Sequence, residues 1–226
     1  MTYDCIHPGV FQARPNRFIA WVELEGETCR CHVPNTGRLR ELLIPGARVW
    51  CQYHPAPGRK TAWTLLAVEH RGTVVNIDSQ VPNRLAADFV RSGGLGLMPD
   101  RVQPERTFGD SRLDLYYEAG PVRGFAEVKG VTLNEDGTAR FPDAPTERGV
   151  KHLHSLVRAV EAGYRAAALF VIQRGDVTRF EPNQARDPAF AQALREAAAQ
   201  GVEVRALICT VTPGALEITG EVPVCL

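Results

Sequence analysis

Residues 109–130 read GDSRLDLYYEAGPVRGFAEVKG. Two runs of β-forming residues flank an Ala-Gly-Pro turn signal, so the stretch reads as a hairpin. Side chains alternate along a strand. Arg112, Asp114 and Tyr116 therefore share one face of the first strand, and Phe125, Glu127 and Lys129 share one face of the second. A four-residue loop at 119–122 sets Glu118 opposite Arg123, and the same register carries Asp114 opposite Glu127, with Cβ atoms about 5 Å apart. Like charges facing each other across a sheet repel, and a slip of one residue would turn an apolar face outward. The pair can take up a proton or hold a cation between its carboxylates. Oxygen ligands with room for water suit Mg²⁺. Lys129 brings an ammonium to the same side, where it can orient a water or stabilise negative charge as it develops. The plainer reading is a solvated sheet face on which Arg112 and Lys129 neutralise the two acids.

The elements around the hairpin decide between these readings. Upstream, residues 10–78 read as short strands, with FIAWVEL, TCRCHV, ARVWCQY and WTLLAVEH separated by Pro, Gly and Asn turns. Such spacing predicts a small barrel or sandwich, an OB-like barrel among them. GRLRELL is the one stretch there with helical spacing. The pattern changes at residues 78–82, which divides the chain into domains 1–80 and 81–226. PNRLAADFVRSGGL predicts a helix capped by Asn83, with Leu85, Phe89 and Val90 as its apolar stripe. RVQPERTF, SRLDLYY and GFAEVKGVTL follow as three strands. TERGVKHLHSLVRAVEAG predicts a helix capped by Thr146, with Val150, Leu153, Val157 and Val160 on its buried face. RAAALFVIQ reads as a buried strand, DPAFAQALREAAAQG as a helix capped by Asp187 with Pro188 in its first turn, and VEVRALICTV as a further strand. The second domain thus runs α-β-β-β-α-β-α-β.

Charge says little about partners. The 226 residues carry 26 basic and 26 acidic side chains. A strong non-specific nucleic-acid binder is basic, so a polyanion would be held here by a local patch or a metal. No apolar run approaches the length of a membrane helix, and MTYDCIHPGVFQARPNRF lacks the basic-then-apolar order of a signal peptide. The reading is a cytoplasmic chain with no membrane partner. Six cysteines fit small core residues in a reducing compartment. Cys29, Cys31 and Cys51 with His32 and His54 match no strong zinc spacing.

ARPNRFIAWVEL, CHVPNTGRL, VPNRL, SRLDL, EVKGVTL and FPDAPTERGVKHL occur in that order over most of residues 13–153. Together they resemble the sugar fermentation stimulation protein (SfsA) family. The αβββαβ order, with Asp on the second strand and Glu-x-Lys on the third, resembles the PD-(D/E)XK nuclease superfamily. The resemblance implies an α+β chain, with an OB-like β-barrel that holds nucleic acid followed by a PD-(D/E)XK nuclease-type domain with a mixed sheet. It implies a Mg²⁺- or Mn²⁺-dependent nuclease hydrolysing phosphodiester bonds of DNA or RNA. Asp114, Glu127 and Lys129 match the catalytic positions. Asp114 and Glu127 would hold the metal with the Val128 carbonyl, and Glu105 or Asp88 would be a further acid. The proline of the superfamily name is absent, since the sequence reads Arg112-Leu113-Asp114. The alternative on the same fold is a non-cleaving DNA-binding transcriptional regulator. The intact acids favour the enzyme, because a pure binder gains nothing from carboxylates aimed at phosphates.

Nucleic-acid contacts are expected from two groups. Arg148, Lys151 and His152 fall, with Ser155, on the polar side of the helix after Thr146, where they could grip phosphates. In the first domain Arg14, Arg17 and Arg38 lie in two turn-like segments with Asn16, Asn35 and Thr36, and are read as contacts to nucleic acid or to the other domain. Asn35 and Gly37 serve the turn itself. Trp21, Trp50 and Trp63 are read as barrel core. A homodimer, whose two sites would address two strands, is compatible with this reading.

Overall fold

The computed structural model describes residues 1–58 and 60–226. The chain forms two units. One is Met1–Val81 with Gln173–Asp176 and Cys209–Glu217; the other is Pro82–Ile172 with Val177–Ile208 and Ile218–Leu226.

The first unit is built on β1 (Ile6–Asn16), β2 (Ile19–Leu24), β3 (Glu27–His32), β4 (Arg48–Tyr53), β5 (Trp63–His70) and β6 (Thr73–Asn76), in the order β3-β2-β1-β4-β5-β6. Parallel pairing of β3 with β5, at Cys31↔Trp63 and His32↔Thr64, closes the first five strands into a barrel. Closure removes the free edges an open sheet would expose. Strand alternation supplies the interior: along β2, Ala20, Val22 and Leu24 are buried while Trp21 and Glu23 face solvent. GRLRELL is not a helix. Leu39, at φ +49°, and Leu42 and Leu43 all turn into the barrel core, and Leu43 N–H bonds Leu39 O at 2.9 Å. Burying three leucines from one short loop outweighs its helical spacing. Of the tryptophans only Trp50 is buried; Trp63 is half-buried against His7 and Tyr53, and Trp21 is 38% exposed. Cys31 and Cys51 are buried free thiols with sulfurs 3.8 Å apart.

The second unit is built on α1 (Val81–Arg91), β7 (Arg101–Phe108), β8 (Ser111–Ala119), β9 (Val122–Val131), β10 (Asn134–Glu135), β11 (Thr138–Phe141), α2 (Glu147–Glu161), β12 (Arg165–Ile172), β13 (Arg179–Pro182), α3 (Pro188–Ala199), β14 (Glu203–Thr212) and β15 (Ala215–Val222), the stretch Cys209–Glu217 of the last two strands counting with the first unit. Its main sheet runs β15-β14-β12-β9-β8-β7. β7, β8 and β9 pair antiparallel, and β9, β12 and β14 pair parallel. A small second sheet runs β10-β11-β13. β10, β11, β13 and β15 were not expected: they are short, or lack an apolar run of strand length. Thr146 and Asp187 do cap α2 and α3, accepting from Gly149 N–H (3.0 Å) and Phe190 N–H (2.9 Å). Leu153 and Leu156 of α2 and Phe190 and Leu194 of α3 join Phe125, Ala168 and Phe170 of the sheet in one core.

The hairpin has the expected register but a tighter turn. Ala119 pairs with Val122, leaving a two-residue turn of Gly120 and Pro121, with Gly120 at φ +56°. The pairing continues through Glu118↔Arg123 and Tyr117↔Gly124 to Leu115↔Ala126, and stops one residue short of Asp114. Gly124 is required at that place, because a Cβ there would lie 2.2 Å from the ring of buried Tyr117.

Candidate active site

The place where the ladder stops is where the carboxylates gather. Asp114 is not ladder-paired with Glu127. Instead its Oδ2 accepts the backbone N–H of Val128 at 2.8 Å, and its Oδ1 accepts Asn83 Nδ2 at 3.1 Å. Strict alternation also breaks here. Leu113 and Tyr116 both enter the core beneath α2 and α3, although their numbering puts them on opposite faces of a regular strand. On the other side, β7 pairs regularly with β8 except at Glu105, which has φ +55° and no partner in the ladder opposite Asp114. Non-glycine residues at positive φ are uncommon, and irregular strand pairs re-aim side chains. The side chain re-aimed here is that of Asp114.

Glu127 lies on β9, with its side chain 3% exposed. Oε1 receives two donors, Lys129 Nζ and His152 Nδ1. Oε2 is buried and has no hydrogen-bond partner. His152 Nε2 faces Arg148 Nε at 3.4 Å. Arg148 can only donate, so Nε2 accepts and the Nδ1 proton points to Glu127. Burial pushes the Glu127 carboxyl up, but the hydrogen bond from His152 and the charge and bond of Lys129 outweigh it, leaving it below its ordinary value. Asp114 goes the other way. Burial first, and then the nearby charge of Glu127, raise it against Lys129, the Val128 amide and Asn83.

Asp114, Glu127 and Lys129 are thus brought together, with the Val128 amide between them. Asp88 and Glu105 are not. The Asp88 carboxylate is 71% exposed and pairs with Arg91 at 2.8 Å, and Glu105 pairs with Arg112. The residue α1 sends to the site is Asn83. The helix begins at Val81 rather than after Asn83, which therefore sits in the first turn and faces Asp114 instead of capping. His152 is not on a solvated face either. The buried face of α2 is Gly149, His152, Leu153, Ser155, Leu156 and Ala159, rotated about one residue from the stripe its valines suggest. Ser155 bonds Ser111 within it at 2.7 Å. Arg148 is exposed, and Lys151 is taken by the Asp110 carboxylate (3.1 Å) and carbonyl (3.0 Å). One signal pointed to a missed contact: His152 lies at i+3 from Gly149 and i−4 from Leu156, whereas Asn83, two residues ahead of Leu85, has the spacing of a cap.

In the barrel, Arg14 does not reach outward. Its guanidinium donates to the carbonyls of Gly37 (2.8 Å), Arg38 (2.9 Å), Arg17 (2.7 Å) and Asn35 (2.6 Å). It joins two loops and has little left for a ligand. Arg17 and Arg38 are exposed beside it. Among the described residues no three of His, Cys, Asp and Glu form a metal-binding set. The second unit offers an acid pair rather than a cage.

A closed five-stranded barrel followed by a mixed-sheet α+β unit with three helices defines a two-module class: an OB domain ahead of a sheet that carries Asp114, Glu127 and Lys129. Residues 13–77 match the family model described as the SfsA N-terminal OB domain, and residues 80–215 match the sugar fermentation stimulation protein RE domain. The chain belongs to the sugar fermentation stimulation protein family. It is similar to the sugar fermentation stimulation protein homolog of Desulfitobacterium hafniense strain Y51, with 49% identity over 96% of this chain and 95% of that one. The Clostridium beijerinckii homolog is 43% identical over the whole of both chains. Among solved structures, Pyrococcus furiosus SfsA in complex with Ca²⁺ superposes with a TM-score of 0.89 at 32% identity, covering 100% of this chain and 98% of that one. No helix is long and apolar enough to cross a membrane among the described residues.

Proposed function

We propose that this chain is a divalent-metal-dependent nuclease that hydrolyses phosphodiester bonds of DNA or RNA in the PD-(D/E)XK manner. The observation that carries the reading is the unpartnered, buried Oε2 of Glu127, on a carboxylate near enough to Asp114 for its charge to raise that acid. A buried carboxylate oxygen left without a donor is costly. The residues fit a hard cation: Asp114 and Glu127 supply oxygens, and the Val128 carbonyl and water complete a set of the kind Mg²⁺ and Mn²⁺ take. Such an ion, when bound, polarises a phosphoryl oxygen and lowers the pKa of water. The Ca²⁺ of the Pyrococcus furiosus relative, an oxygen-seeking divalent ion of the same kind, supports this.

The chain's own groups do the rest. Asn83 and the Val128 amide hold both Asp114 oxygens, which fixes the plane of that carboxylate. His152 holds Glu127 from behind, as outer partners of ligand carboxylates do. Lys129 is 20% exposed, so its ammonium can meet substrate while bonded to Glu127. There it orients the attacking water or stabilises charge on the phosphate.

The test is incubation of purified protein with single- and double-stranded DNA and RNA in Mg²⁺, Mn²⁺ or EDTA, beside Asp114→Asn. Metal-dependent cleavage lost in the variant supports the nuclease. Binding of DNA by both proteins with no cleavage in either metal supports the non-cleaving regulator instead.

A further inference from the structure

The Arg14 clamp builds something besides itself. By tying the loop at 14–17 to the loop at 35–38, it sets Arg17, Arg38 and Arg40 around one cleft of about 350 Å³, floored by Asn16, Gly37 and Arg14 itself. Leu39 is buried at 2% exposure with φ +49°, and the neighbours it separates, Arg38 and Arg40, both point outward into the cleft. Arg17, Arg38 and Arg40 are exposed. Among the described residues none of the three has a carboxylate or other side-chain partner. Glu41, the nearest acid in the chain, does not line the cleft. Three free guanidiniums held at one point by a fourth, half-buried one are a preorganised receptor for an oxyanion.

The surroundings narrow the ligand. Arg14, Arg38 and Arg40 also line a second cleft of about 380 Å³, whose other walls include Ala13, Leu43 and Pro45. A phosphate among the guanidiniums would thus have an apolar wall beside it for the sugar and base it carries. Among the described residues no carboxylate lines either cleft. Guanidiniums concentrated at one point suit a dianionic end group better than a run of singly charged internal phosphates. The geometry points to a binding site for the terminal phosphate and terminal nucleotide of a nucleic-acid strand. This rests on nucleic acid being the substrate, as proposed above, but not on its being cut.

The experiment is fluorescence anisotropy in EDTA, with full-length Asp114→Asn and ten-nucleotide single strands of DNA and RNA. The strands end in a 5′-phosphate, a 3′-phosphate or hydroxyls only, with the dye placed internally. One phosphorylated end is expected to bind about tenfold tighter or better than hydroxyl ends. That preference is expected to vanish in Arg17→Gln, Arg38→Gln and Arg40→Gln together, with an unchanged melting temperature because these side chains have no partners to lose. A nucleoside monophosphate is expected to compete better than inorganic phosphate. Equal binding of phosphorylated and hydroxyl-ended strands, or a preference that survives the three substitutions, overturns the assignment. Cleavage is not read here, so a protein that fails to cut leaves this result standing. A protein that cuts but ignores the end group overturns the cleft alone.

Discussion

His152 and Lys129 donate to the same oxygen of Glu127, and the other oxygen has no donor. The Lys129 ammonium and the His152 N–H thus gather on one side of the carboxylate, which would leave the other side to the proposed ion. His152→Ala is expected to loosen that orientation and reduce divalent-ion affinity and cleavage by roughly 10- to 100-fold, the usual cost of losing an outer partner. His152→Asn keeps a donor and is expected to recover part of the loss. Calorimetric titration with Ca²⁺ reads the affinity without turnover. Unchanged affinity in His152→Ala would show that Glu127 is held by Lys129 alone.

Asn83 gives a test of opposite sign. Asn83→Asp sets a third carboxylate against Asp114, whose acidity is already weakened by burial and by Glu127. Without divalent ions the variant is expected to melt lower than the parent, by roughly 1–3 kcal/mol, because one acid is left unpaired or must bind a proton. With millimolar Ca²⁺ or Mg²⁺ its rise in melting temperature is expected to exceed the parent's, since an ion that binds only the folded state stabilises it. An equal rise in both proteins sinks the idea that Asn83 borders the ion.

These two residues mark where reading the sequence fell short, and why. The Asp114/Glu127/Lys129 arrangement followed from strand period and hairpin register, and those local rules hold in the ladder up to Leu115↔Ala126. What lies beyond depends on departures from period: the positive φ of Glu105, the entry of both Leu113 and Tyr116 into one core, and the amide of Val128 turned to a side chain. The helix contacts turned on a rotation of about one residue. The valines of α2 suggested one face, and packing chose its neighbour, carrying His152 inward. The caps at Thr146 and Asp187 were readable because they depend on a few adjacent residues. The fate of Arg14 was not, since three of its four acceptors lie on a loop more than twenty residues away along the chain.

Arg14 makes a prediction about the barrel alone. Arg14→Ala removes donors from four carbonyls and frees two loops, and is expected to cost about 2–4 kcal/mol in urea unfolding. Arg14→Lys is expected to recover less than half, because one ammonium cannot reproduce a planar fork reaching four acceptors. A destabilisation below about 0.5 kcal/mol in Arg14→Ala, the range of ordinary surface changes, would mean that the loops hold without it.

The cysteines set an alkaline limit. Burial pushes the Cys209 thiol from an ordinary value of 9.0 up to about 12, against a smaller opposing effect of the N-terminal charge. The hydrogen bond with Cys31, and then burial, push Cys51 up as well. For an acid whose folded value is raised, the unfolded chain loses its proton first. Stability is therefore full below the unfolded value and falls as pH rises above it. Cys209 alone is expected to contribute a loss of about 1 kcal/mol between pH 8 and pH 10, with Cys51 adding in the same direction. Denaturant unfolding across that range, compared with Cys209→Ala, isolates its share: the variant's curve should be flatter with pH. Native alkylation at pH 8 is the companion measurement. Exposed Cys5 and Cys225 should label, and Cys31, Cys51 and Cys209 should stay unlabelled until the chain unfolds. Early labelling of Cys209, or identical pH slopes for the two proteins, would show that its thiol is not held in the protonated state by burial.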